Sequence, residues 1–125
     1  MKHLSIGLAA ALLALPLCSA AATASRPDPL TDCVDLSASH RGVRAGTNAQ
    51  LLLKDGDAHY RVAFNGECHA LARTSSIRFE TAGQANRLCP TGSTVRAANS
   101  SCNVQAVERI EPEVYERRAR MNRLR

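Results

Sequence analysis

The sequence lacks tryptophan, and its other aromatic residues are only two tyrosines and two phenylalanines in 125 residues. Outside the first segment it also lacks a run of about 20 apolar residues, which excludes a membrane-spanning helix there. Seven glycines and five prolines are too few for a collagen-like or low-complexity chain, and 22% charged residues are too few for a highly charged disordered one. The composition therefore predicts one small folded domain.

The formal net charge is +5, but the basic excess is concentrated near the C-terminus. Nucleic-acid binding typically needs a basic body with stacking aromatic side chains, so we expect no nucleic-acid partner. The terminal arginines are instead candidate partner-binding residues, for an envelope protein or an anionic surface. They are Arg117, Arg118, Arg120, Arg123 and Arg125.

Residues 1–22 have the pattern of a signal peptide. Lys2 supplies a positive start, residues 4–17 form an apolar run of suitable length, and small residues follow. Three cleavage points fit the small-residue rule, after Ala20, Ala22 or Ala24. The alternative, an acylated Cys18, is disfavoured by the large Leu17 before it. The pattern predicts export, to the periplasm or out of the cell.

Export makes the other four cysteines, Cys33, Cys68, Cys89 and Cys102, a framework of two disulfides. Metal binding would need close pairs such as C-x-x-C, so we expect no metal site. If six strands alternate up and down, Cys33 pairs with Cys89 and Cys68 with Cys102. If the fourth strand runs parallel to the third, Cys33 pairs with Cys102 and Cys68 with Cys89. The sequence leaves both pairings open.

Alternating apolar and polar residues predict five or six short strands, and a hairpin is the clearest of the patterns. Residues 49–54 and 59–64 flank a turn at Asp55-Gly56-Asp57, whose glycine suits a tight hairpin. The core face of this hairpin carries Leu51, Leu53, Tyr60 and Val62, and the opposite face carries Gln50, Lys54, His59 and Arg61.

Further strands are predicted at residues 42–45, 76–81, 93–98 and 104–110, with one short helix at 67–73, after the third strand. The fold class is therefore mainly β, a small antiparallel barrel or rolled sheet with two disulfides and a helical C-terminal tail. An extended lead-in, 23–32, precedes the disulfide-bonded β domain at 33–110.

The tail, residues 111–125, is predicted to be a charged helix. Pro112 suits a first helical turn, and two acid-before-base pairs are spaced i,i+4. Its thin apolar stripe consists of Val114, Met121 and Leu124. We interpret it as a solvated terminus or as an electrostatic handle for an anionic partner.

Catalytic patterns are missing. There is no G-x-S-x-G elbow and no phosphate loop, so we expect no catalytic residue, no cofactor and no enzymatic activity. His40, His59 and His69 lack the spacing of helical metal ligands. The carboxylates that a paired-acid site would use lie in turns or on outward strand faces: Asp55, Asp57, Glu67 and Glu80.

The chain resembles a family of small exported proteobacterial proteins of unknown function. The resemblance covers residues 33–110, and five features carry it: Cys33-Val34-Asp35, Leu51-Leu52-Leu53, the turn from Asn65 to Cys68, Leu88-Cys89 before Gly92, and Cys102-Asn103-Val104. Relatives tend to carry aspartate after the glycine, where this chain has Ser93. The resemblance implies an envelope location and a disulfide-bonded β fold, without a substrate.

Three functions fit these patterns. The first is a non-catalytic binding or structural module of the bacterial cell envelope. The second is an inhibitor of a secreted hydrolase, presenting a loop at 73–75 or 82–87. The third, least favoured, is a hydrolase with His59 or His69 as base and Glu67 or Glu80 as acid.

Overall fold

A computed structural model describes residues 28–72, 77–97 and 99–123, so the predicted signal peptide lies outside the described residues. Within them the chain forms ten strands and one C-terminal α-helix. The strands are β1 Asp28–Pro29, β2 Val34–Asp35, β3 Arg41–Arg44, β4 Gln50–Asp55, β5 Ala58–Phe64, β6 Arg78–Thr81, β7 Gln84–Ala85, β8 Arg87–Leu88, β9 Ser93–Ala97 and β10 Ser100–Arg109; α1 is Pro112–Arg123. No helix in the described ranges is long and apolar enough to cross a membrane.

Seven strands form the main sheet in the spatial order β3-β4-β5-β10-β9-β6-β7, with β1 pairing against β10. The first part of the long strand β10 pairs with β9, and its second part pairs with β5. The pairing register with β5 shifts between Val104 and Ala106, which marks a bulge. Because bulges bend strands and increase twist, β10 curves the sheet into a half-barrel with β3 and β7 as its edges.

The predicted mainly β class is confirmed, but the expected strand number and helix position are wrong. Four strands, β1, β2, β7 and β8, have two residues each, too few for an alternating pattern to reveal. The short helix is a 3-10 turn at His69–Ala72 that follows β5, the fifth strand and not the third. The one α-helix in the described part of the chain is at its C-terminal end.

The predicted hairpin is present as β4 and β5. Asp55 pairs with Ala58 across a two-residue turn, and Gly56 there has φ +60°, a conformation that favours glycine. The predicted core face is confirmed, since all four of its side chains are buried in the main core: Leu51, Leu53, Tyr60 and Val62. Each such burial contributes roughly 2 kcal/mol.

The main core lies inside the half-barrel, between the β4–β5 wall and the β6–β9 wall. Phe79 of β6 and Val95 of β9, which are paired across the strands, are fully buried and meet the hairpin leucines. Val95 and Ala97, which alternate along β9, are both buried. Leu30 also joins this core, and its N–H donates to Val107 O at 2.9 Å.

The disulfides join Cys33 to Cys89 and Cys68 to Cys102. Successive neighbours β5, β10, β9 and β6 are all antiparallel, so β6 runs opposite to β5. This is the up-and-down alternative of the two predicted arrangements, and the parallel one is excluded. Two disulfides are compatible with an extracytoplasmic protein.

The C-terminal helix packs on the outer face of the sheet and is not a solvated terminus. Tyr115 is 5% exposed and Ala119 is buried beside it, and both pack on Leu52. Val114 contacts this cluster as predicted, but Met121 is 47% exposed, and Leu124 lies outside the described residues. Tyr115 and Ala119 form the buried stripe of α1, because the large tyrosine ring covers the outer face of the sheet.

Candidate functional site

The half-barrel leaves a gap between its edge strand β3 and the start of β6, which we call the seam. The seam is bounded by β3 on one side and by Ile77, Arg78 and Asn86 on the other. Two open cavities of about 460 and 480 Å³ lie along it, and Gly42 and Ile77 line both. The two cavities are therefore neighbours beside β3, and we call the pair the slot.

Four arginines from three elements line the seam. Arg41 and Arg44 come from β3, Arg78 begins β6, and Arg118 comes from the helix. No aspartate or glutamate is among the described residues that line either cavity. Guanidinium groups bind carboxylates through paired hydrogen bonds, so the slot is suited to an anionic ligand.

Arg118 reaches the seam because the loop after β3 provides room for it. Gly46 has φ +95°, and a Cβ at this position would lie 3.2 Å from Nη1 of Arg118. The positive φ favours glycine there, and the Arg118 guanidinium occupies the space that a side chain would take. Arg44 is positioned differently, since its Nη2 donates to Ala72 O at 3.4 Å, and Asn122 Nδ2 donates to Arg44 O at 3.5 Å.

The predicted tail arginines are only partly brought together. Arg118 lines the seam and also a further cavity of about 280 Å³, which Arg117 and Met121 line with it. Arg120 and Arg123 are exposed on the helix, and Arg125 lies outside the described residues. Sequence reasoning missed the seam arginines of β3 and β6, because they are far apart along the chain. In that part of the sequence, acidic residues also nearly balance the positive charge.

The helix that carries Arg118 is held partly by one ion pair. Lys54 Nζ of β4 donates to Glu116 Oε1 at 3.0 Å. This hydrogen bond and charge lower the pKa of Glu116 below its ordinary value of 4.5. Burial raises the pKa of the neighbouring Tyr115 above 10.0, with Glu116 adding to the effect.

His59 points away from the main core as predicted, but α1 covers it. It is 6% exposed, its ring centroid lies 5.6 Å from that of Tyr115, and Nδ1 donates to Asp57 O at 3.1 Å. Its buried Nε2 has no hydrogen-bond partner among the described residues. The histidine is therefore part of the interface between helix and sheet.

Of the other proposed acid–base residues, the structure brings His69 and Glu67 together, with Nε2 and Oε2 3.7 Å apart. Both side chains are exposed, and Glu67 precedes the 3-10 turn that His69 begins. Glu80 Oε2 instead pairs with Arg96 Nε at 3.3 Å across β6 and β9. His40 lines the seam, where its Nδ1 donates to Ser37 O at 2.7 Å.

Asp55 anchors the loop that leads into β3. The Ser37 N–H donates to Asp55 Oδ2 at 3.0 Å, and the Ser37 hydroxyl donates to Oδ1. The hydroxyl hydrogen bond is the largest cause of a lowered pKa at Asp55, whose ordinary value is 3.8. The hairpin turn thereby positions the segment from which Arg41 follows.

Replacing Ser37 by alanine is expected to raise the pKa of Asp55 toward 3.8. Because the folded pKa is depressed, the carboxylate stabilises the fold above about pH 3.8, and this contribution is lost as pH falls through the folded value. NMR titration of the Asp55 carboxyl carbon measures the change. Ser39→Ala is the control, since Ser39 Oγ contacts only the Ser37 hydroxyl in this network; an unchanged Asp55 titration in Ser37→Ala contradicts the assignment.

Comparison of the chain with protein-family models, curated proteins and solved structures finds no match. The candidate site therefore rests on the geometry and charge of the seam.

Proposed function

We propose that this protein is a non-catalytic binding module of the bacterial cell envelope, acting in the periplasm or after secretion. The observation that carries this proposal is the seam, whose two neighbouring cavities are lined by four arginines from β3, β6 and α1. The two disulfides, the signal-peptide pattern and the resemblance to exported proteins support the location.

Site-specific crosslinking in the oxidised protein tests the proposal. A photoreactive amino acid replaces Ala38, an exposed residue that lines the seam, and in a matched control it replaces Gln105, exposed on β10. We expect one stoichiometric envelope partner to be captured from Ala38 and not from Gln105. Capture from neither position, or equal capture from both, contradicts a binding module that uses the seam.

The inhibitor of a secreted hydrolase remains a second candidate, on one observation. The turn at 82–87 is tightly shaped, with φ values of 51° at Ala82 and 63° at Asn86, and its strand β7 is exposed. A rigid exposed turn is suited to an enzyme cleft, because little flexibility is lost on binding. The inhibitor function is favoured if the captured partner is a hydrolase whose activity falls on stoichiometric addition of the protein.

A further inference from the structure

One edge of β3 has main-chain groups directed into the seam. Phe64 N donates to Ala49 O at 2.9 Å, which makes these two residues a hydrogen-bonded pair at the start of the hairpin ladder. Hydrogen-bonded pairs alternate along antiparallel strands, so Leu51 and Leu53 bond to β5, and the residues between them bond to β3.

The same alternation continues into β3. Val43 lies opposite Leu52 and Arg41 opposite Lys54, so these two β3 residues take the bonds from β4. The N–H and C=O groups of Gly42 and Arg44 therefore point to the side of β3 that faces away from β4, into the seam. Among the described residues no main-chain partner bonds to these groups, and Arg44 O accepts the side-chain hydrogen bond from Asn122. The hydrogen bond from Asn122 Nδ2 to Arg44 O agrees with this direction.

An edge strand with unpaired main-chain groups is a template for another strand. Extended peptides commonly bind in this way, with main-chain hydrogen bonds supplying affinity and side-chain contacts supplying specificity. Gly42 is the centre of the slot, where both cavities meet.

Charge identifies the chemistry of the occupant. Arginines line both cavities, Arg41 and Arg78 at one and Arg44 and Arg118 at the other. A strand rich in aspartate or glutamate would pair its carboxylates with these groups while its backbone bonds to β3. A basic strand would be repelled along the whole length of the slot.

We propose that the seam accepts an extended acidic peptide segment of a partner protein, which adds a strand to β3. This inference rests on the proposed binding function and names the partner's chemistry. The bonds involved are those of the Gly42 N–H and C=O and of the Arg44 N–H, and the arginines of the seam select acidic side chains.

The test uses a fluorescein-labelled heptapeptide that alternates glutamate and valine, with fluorescence anisotropy on the oxidised protein. Gly42→Pro removes the N–H that faces the seam but none of the bonds from β3 to β4, and proline is tolerated at such edge positions. We expect Gly42→Pro to weaken peptide binding about fivefold, which corresponds to the loss of one main-chain hydrogen bond. Gly42→Ala, whose Cβ would meet Ile77 and Leu51 at ordinary contact distances of 3.4 Å, is the matched control and should bind as the native protein does.

A second pair of variants tests the charge. Arg78→Glu in the seam should weaken binding about tenfold and reduce its dependence on salt, whereas Arg120→Glu, outside both cavities, should bind normally. Hydrogen exchange at Gly42 and Arg44 should slow when the peptide is present. Thermal unfolding confirms that each variant is folded.

Several outcomes overturn the inference. The inference is overturned if the native protein does not bind the peptide, or if Gly42→Pro binds it as well as Gly42→Ala does. It is also overturned if free glutamate at equal carboxylate concentration displaces the peptide fully. Stronger binding of a lysine–valine peptide or self-association at the seam, seen by sedimentation, also overturns it. The crosslinking experiment separates the two proposals, because a partner captured from Ala38 without peptide binding keeps the binding module and rejects the added strand.

Discussion

Replacing Cys68 and Cys102 together by alanine is expected to lower the free energy of unfolding by about 4 kcal/mol. The bond joins residues 34 apart in sequence, so it restricts a long loop of the unfolded chain. Cys68 is also fully buried in the main core, where its loss leaves unfilled space. Urea unfolding of the double variant and of the native oxidised protein measures the difference.

The Cys33→Ala, Cys89→Ala double variant is the matched comparison. Its bond spans a longer separation of 56 residues, so chain entropy alone predicts a loss of similar size. Cys33 is exposed, however, and Cys89, although buried, is outside the main core cluster that contains Cys68, so less core packing is disturbed. If the variant lacking Cys68 and Cys102 had the same urea midpoint as the native protein, this bond would not contribute to the free energy of unfolding.

Tyr115→Ala is expected to lower the free energy of unfolding by about 3 kcal/mol, in the range for large aromatic residues truncated to alanine in a core. The Tyr115 ring is buried against Leu52 and lies over His59. Its loss exposes the outer face of the sheet and weakens the attachment of α1. Thermal or urea unfolding of the full chain measures the effect.

Met121→Ala is the control on the same helix, because Met121 is largely exposed and its truncation should change stability by less than about 0.5 kcal/mol. Equal losses in the two variants would show that the helix is held by something other than the Tyr115 contact. If the prediction holds, deleting the helix also unsettles the seam, since Arg118 and Asn122 line it. Point variants therefore locate a partner contact more reliably than a chain that ends at Ile110 and lacks the helix.

Short-range sequence patterns predicted the elements whose contacts join residues that are close together in the chain. The hairpin of β4 and β5 follows from a turn glycine between two alternating segments, and its core face is set by the period of two. The inward positions of Phe79 and Val95 follow from the same alternation. Each of these features depends on residues within about a dozen positions of one another.

The seam could not be predicted in this way. Arg41, Arg78 and Arg118 are separated by dozens of residues, and each looks like an ordinary surface charge in its own segment. They line neighbouring cavities only because β6 lies on the opposite side of the half-barrel from β3 and α1 folds back over β3 and β4. The buried stripe of α1 was likewise missed, because Tyr115 and Ala119 mark no strongly apolar face by themselves.

The sequence by itself determined the β class, the main hairpin and the presence of two disulfides. The alternation of apolar and polar residues is a local signal, and the cysteines can be counted without knowledge of the fold. Only the tertiary structure decided which cysteines pair, which strand edges stay open and which arginines converge. Alternation reports which side of a strand is buried, but it carries no information about which strands become neighbours. That choice depends on packing between distant segments, and it created the seam beside β3.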